Sequence, residues 1–148
     1  MKIQLEEIKP NPNSSFNIMV NPKLNDFYFW HFHAAFELVY IEAAIGTRHV
    51  GDHISKYFGS DLAFIGSNIP HLNFDFEVKS YYEKTVVHIQ PNFLEKSLNQ
   101  TPELSAIADL FEKAKFGIAF GENVKIEIGQ RIKDLHLLDA FNQFLAII

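Results

Sequence analysis

Trp30-His31-Phe32-His33-Ala34-Ala35-Phe36-Glu37-Leu38-Val39-Tyr40-Ile41 is the stretch from which the fold is read. Side chains alternate along a β-strand, so His31 and His33 leave the same face. Glu37 then opens a run of apolar and β-branched residues that has the composition of a second strand. Further along, Ser60-Asp61-Leu62-Ala63-Phe64-Ile65-Gly66-Ser67-Asn68-Ile69-Pro70-His71 ends on another histidine. Three imidazoles and one carboxylate form a donor set suited to zinc, nickel, iron or manganese.

Working outward, residues 14–90 are strand-like throughout. The expected strands are 15–20, 27–33, 36–42, 47–50, 53–57, 61–65, 71–75 and 82–89, separated by Asn-Pro, Gly-Asp, Gly-Ser and Ile-Pro breakers. Short strands at this spacing point to a sandwich or barrel. Residues 1–13, with Pro10 and Pro12 flanking Asn11, read as a loosely held arm. After Pro91 the period changes. Thr101-Pro102-Glu103 has a hydroxyl, a proline and an acid in the order expected at a helix start. Leu104, Ile107, Ala108, Phe111 and Ala114 follow at helical spacing. Val124, Ile128, Ile132 and Leu135 form a second apolar stripe; Leu138, Phe141, Leu145 and Ile148 form a third. The second and third stripes carry more apolar surface than one barrel flank covers, which predicts self-association through the helices.

The two quoted stretches resemble the two sequence motifs of the cupin superfamily. In this wording they are closest to the amino-terminal domain of AraC-type bacterial transcription regulators. Phe93-Leu94, Pro102-Glu103-Leu104 and Gly117-Ile118-Ala119-Phe120-Gly121 resemble the landmarks that follow the barrel in that family. The resemblance implies a mainly β fold with C-terminal helices: an N-terminal arm (1–13), an antiparallel cupin barrel or jelly roll (14–90), and a helical dimerisation and linker segment (91–148). It implies His31, His33, Glu37 and His71 as metal ligands, and a complete regulator with helix-turn-helix units beyond this chain. Ala44 stands where the family pattern has a glycine, and Ser60 where a glycine precedes Asp61, so the turn there is expected to be reshaped around Ile45-Gly46. A metal-free hydrogen-bonded pocket built from the same four residues is the alternative.

Phe29, Tyr40, Arg48, Phe64 and Asn73 are the candidates to line a small-molecule pocket, in which apolar walls carry a few polar groups. Arg48 taken alone reads as a solvated hairpin charge, and most of the aromatic residues as core. His49 and His53 flank Gly51-Asp52 and are expected in solvent; His88, in an apolar strand, reads as a core histidine; His136 lies at a helix junction.

The 148 residues, 47% hydrophobic with 15 Phe, suffice for one well-filled core. With no cysteine, a disulfide framework and a thiolate metal site are both excluded. Acidic residues occupy the place where a signal peptide has its apolar run, which fits a cytoplasmic protein. A net charge of −5 opposes binding to phosphate backbones, and no basic reading helix is visible, so residues 1–148 are not expected to bind DNA or a membrane. Gly-x-Ser-x-Gly and glycine-rich phosphate loops are absent from the sequence, and no catalytic residue is assigned. The resemblance implies an effector-sensing, homodimeric regulator domain that is not an enzyme; a metal-dependent oxygenase or isomerase and a metal-free carbohydrate-binding module are the alternatives. The apolar helical pattern running to Ile148 is expected of a fragment of a longer protein.

Overall fold

A computed structural model describes residues 2–23, 30–72, 78–93 and 100–148, with backbone only at 43 and 44. Expected strand residues 27–29 and 73–75, and with them Phe29 and Asn73, lie outside the described residues. The fold is mainly β, a strongly curled half-barrel sheet with C-terminal helices. Its strands are β1 (Gln4–Leu5), β2 (Phe16–Val20), β3 (Trp30–Phe32), β4 (Phe36–Val50), β5 (His53–Ile65), β6 (His71–Leu72), β7 (Glu83–Ile89) and β8 (Ile118–Ala119). The helices are α1 (Ser105–Lys113), α2 (Glu122–Asp134) and α3 (Ala140–Ile147), and α1 is preceded by a 3₁₀ turn at Pro102–Leu104.

The organising element is β4. Along one edge it pairs with β5 for its whole length, from Glu37↔Ile65 to Val50↔His53. Its other edge is shared. β7 takes residues 36–42 and carries β2 beyond it, whereas β6 takes Val50 and carries β3 and then β1. One long strand thus feeds two branches of the sheet, and the curl turns the β3–β6 branch toward the inner face of β4 and β7.

Two strand pairs expected as four separate strands are continuous here. Between Glu42 and Ala44 the ladder slips by one residue, so β4 passes through a bulge where a turn around Ile45-Gly46 was expected. Ala44 is not forced to positive φ. The residue across the ladder from it, Gly59, takes φ +78°, so the glycine that the bend requires sits on β5. The Gly51-Asp52 hairpin turn is as expected, with Gly51 at φ +58°.

Both faces of the sheet are buried. The outer face packs Phe16, Phe36, Tyr40, Leu62, Phe64, Val87 and Ile89 against Phe111, Ala114, Ile132 and Leu135 of the helical segment. The inner face holds Val39, Val50, Ala63, Ile65 and Val86. The second helical stripe therefore folds back onto the sheet: Ile132 and Leu135 are buried, and Val124 and Ile128 pack against the same core. It is not free for self-association. The third stripe differs, because Phe141, Leu145 and Ile148 are exposed. β1 adds a parallel strand to β3 and so ties part of the N-terminal arm to the sheet.

Candidate metal centre

Strand alternation sends His31 and His33 inward, and both are buried, while Trp30 and Phe32 between and beside them are only half-buried. His71 sits directly across the ladder from His31, with ring centroids 4.3 Å apart. Glu37, at the start of β4, faces them from the other branch. The donor atoms of His31, His33, Glu37 and His71 all lie within 4.8 Å of one another, and all four residues are buried. The four residues singled out from the sequence therefore converge, in an arrangement that could hold a metal.

Their geometry is ordered around one oxygen. Glu37 Oε2 lies 3.1 Å from His33 Nε2, 3.4 Å from His71 Nε2 and 3.2 Å from His88 Nε2. For metal–ligand bonds of about 2.1 Å, neighbouring ligand atoms are separated by about 3.0 Å in an octahedron and about 3.4 Å in a tetrahedron. The His33 and His71 spacings are compatible with ligand pairs sharing a cation, and the His33 and His88 spacings are equally those of hydrogen bonds to the carboxylate.

The tautomers call for a positive charge at the same place. His33 Nδ1 is 2.8 Å from the Ala35 carbonyl and His71 Nδ1 is 2.8 Å from the Ile69 carbonyl. A carbonyl only accepts, so each Nδ1 carries the hydrogen, and a neutral ring then turns an Nε2 lone pair toward the Glu37 carboxylate. Lone pair facing lone pair in a buried site is repulsive. A second proton on the ring relieves it, and so does a metal ion drawn in between. This outer locking of imidazoles by carbonyls is characteristic of metal-ligating histidines. His71 Nε2 has no hydrogen-bond partner among the described residues, apart from its approach to Glu37.

The titration tendencies follow. Burial opposes a charge on His33, but the hydrogen bond from its ring to Glu37 and the Glu37 charge outweigh it and hold His33 above its ordinary value. Burial likewise pushes Glu37 up, yet the His71 charge and the bonds from His33, His71 and His88 hold it well below the usual carboxylate range. Both shifts favour a proton shared between His33 and Glu37 in the metal-free chain. On the open side, the Glu6 carboxylate reaches His31 Nε2 at 3.2 Å, carried there by the β1–β3 pairing.

His88 is the functional contact that the sequence did not reveal. It lies across the ladder from Glu37 on β7, and read as core filling because its neighbours Val86, Val87 and Ile89 are apolar. A lone histidine in an otherwise apolar strand was the only available signal.

The candidate pocket residues separate. Arg48 is not solvated: its Nε and Nη2 grip Asp61 at 2.7 and 2.8 Å, and Nη1 donates to Ser55 Oγ at 3.0 Å. It lines an inner-face cavity of about 320 Å³ with Val50, His53, Ala63, Ile65 and the backbone stretch 116–119. Tyr40 and Phe64 do not line that cavity. They point to the opposite face of the sheet, where Tyr40 lies over Gly129 of α2 and Phe64 packs edge-on to Phe111. The His49 ring packs tilted against Trp30, centroids 4.4 Å apart, and His136 Nδ1 meets the Lys133 carbonyl at the end of α2.

Among the described residues no helix is long and apolar enough to cross a membrane. Compared with models of protein families, with curated proteins and with solved structures, the chain gives no match.

Proposed function

We propose that this chain is the ligand-sensing and dimerisation domain of an AraC-type transcription regulator, a cupin-type barrel that binds a small polar molecule such as a sugar. A divalent metal belongs at His31, His33, Glu37 and His71, where the donor set and the locked tautomers suit it. When bound, the metal would supply a Lewis-acidic centre.

The observation that carries this reading is the wall of the inner cavity. Residues 116–119 line it, and they are also the connection between α1 and α2. An occupant of the barrel therefore touches the segment that places the helices. The same connection is tied to β5 by the Phe120 N–H to the Leu62 carbonyl at 2.9 Å. A ligand that favours one arrangement of this connection biases the helices, and the exposed face of α3 passes the change to a second copy.

A metal-dependent oxygenase or isomerase is the second reading, favoured by the three imidazoles and one carboxylate. A thermal-shift panel of pentoses, hexoses and small hydroxy acids, with sedimentation of each complex, separates the two. The sensor reading expects a ligand that raises the unfolding midpoint, is recovered unchanged, and shifts a monomer–dimer equilibrium that Leu145→Glu abolishes. Turnover of the ligand by a chain that stays monomeric would overturn it.

A further inference from the structure

His88 lies outside both sequence motifs, yet it touches the carboxylate at the centre of the site. It is buried, sits in strict register across from Glu37, and brings Nε2 to 3.2 Å from Oε2. Its ring meets that of His33 edge-on at 4.8 Å. It also forms part of the wall of a second cavity of about 430 Å³, bounded by Glu6, Lys9, Asn17 and Met19.

We propose that His88 is the positioning residue of the metal centre: it donates its Nε2–H to Glu37 Oε2 and stays off the metal. The inference rests on the metal reading above. A bound cation would be held by His33 and His71 through Nε2 and by the Glu37 carboxylate, which would take up one lone pair of Oε2. The oxygen's second lone pair then needs a donor, because Glu37 is buried. Among the described residues His88 is the group in reach. As a neutral imidazole it supplies that donor without adding charge beside the cation. The compact group of four donors within 4.8 Å does not include His88, which fits a role behind the carboxylate. Two adjacent antiparallel strands fix the Glu37–His88 pair, so Oε2 is held by backbone register as well as by its own rotamer.

The test uses Co²⁺ and Zn²⁺ titrations of the full chain, as wild type, His88→Gln and His88→Leu, with imidazole ¹⁵N spectra of the zinc-loaded protein. Gln places an amide N–H near the position of Nε2; Leu removes the donor. His88→Leu is expected to weaken Co²⁺ binding by about 10- to 100-fold, the usual cost of removing an outer partner. His88→Gln should bind within a few-fold of wild type and keep its visible Co²⁺ bands. In the zinc-loaded wild type, His88 Nε2 should keep its proton. Equal affinity in His88→Leu and wild type overturns the proposal while leaving the metal reading intact. So does an ¹⁵N spectrum in which His88 Nε2 has lost its proton to a metal bond. Failure of wild type to bind either ion removes the metal reading and the proposal together. Should His88→Leu not fold, the wild-type ¹⁵N spectrum and His88→Gln decide.

Discussion

Two carboxylates are buried on the inner face of the same sheet, and each has a different source of positive charge. Asp61 receives a two-pronged grip from Arg48, so the chain supplies its own cation there. Glu37 faces imidazole nitrogens, and at least two of these rings are locked so that their free lone pairs point inward. Its cation must come from solution, as a proton or a metal. Burying a carboxylate requires a partner in either case. A partner encoded in the chain makes a strut, whereas one borrowed from solution makes a site that can be filled and emptied.

The largest effect expected from this contrast is at the strut. Arg48→Met leaves Asp61 buried and unpaired, which costs about 3–5 kcal/mol of unfolding free energy. The double change Arg48→Met with Asp61→Leu should recover most of that loss in urea melts. If the single variant is as stable as wild type, the two carboxylates are not different in kind.

Next in size is the response to metal. Zinc at about 100 times its dissociation constant should add about 2.7 kcal/mol to wild type. Glu37→Gln should abolish that gain in calorimetry, and the Arg48/Asp61 double variant should retain it. Loss of the gain in both would mean that the two carboxylates act as one unit.

The pH dependence is smaller and has a definite sign. His33 is held above its ordinary value of about 6.5, so its contribution is complete below that value and is lost as pH rises through its folded-state pKa. Glu37 is held below about 4.5, so its contribution is present above that value and is lost as pH falls through its folded-state pKa. The metal-free chain should therefore be most stable between these limits and weaken on the alkaline side, where zinc should restore it. Thermal melts across pH 5 to 9, with and without zinc, check this; a metal-free midpoint that climbs through the alkaline range contradicts it.

The smallest effect belongs to Ser55. Its hydroxyl accepts a single bond from Arg48 Nη1, and Ser55→Ala should cost about 1 kcal/mol. A much larger loss would show that Arg48 depends on more than Asp61.

The centre was legible in the sequence because it rests on the most local rule available, the two-residue period of a strand, and on a motif that brings two distant segments together. His88 was not legible, because its place depends on which residue of β7 faces Glu37, and no local pattern encodes register between residues 51 positions apart. The strand boundaries were blurred by glycines. Gly46 and Gly59 resemble breakers, but Gly46 is where the Tyr57 ring lies over the backbone and Gly59 sits opposite the slip in β4. The faces of Tyr40 and Phe64 were hidden for another reason. Both sides of this sheet are covered, so alternation between apolar and polar residues, the usual guide to inside and outside, is lost. The second and third helical stripes look alike as sequence, and only packing separates them: α2 spends its stripe on the sheet and α3 leaves its own exposed.

The slip in β4 has a consequence for how this sequence can vary. Before it, the odd-numbered residues Glu37, Val39 and Ile41 look inward; after it, the even-numbered Arg48 and Val50 do. β5 keeps one phase throughout, with Tyr57, Asp61, Ala63 and Ile65 on the same side. The extra residue in β4 thus works like a frameshift in a reading frame. Deleting the one extra residue between Glu42 and Ala44 would remove the slip and leave Glu37 and Arg48 facing the same side on one uninterrupted alternation. A second deletion before Arg48 would turn Arg48 out and His49 in. The strand can therefore lose its one extra residue without changing which side chains face inward, but it cannot lose a second.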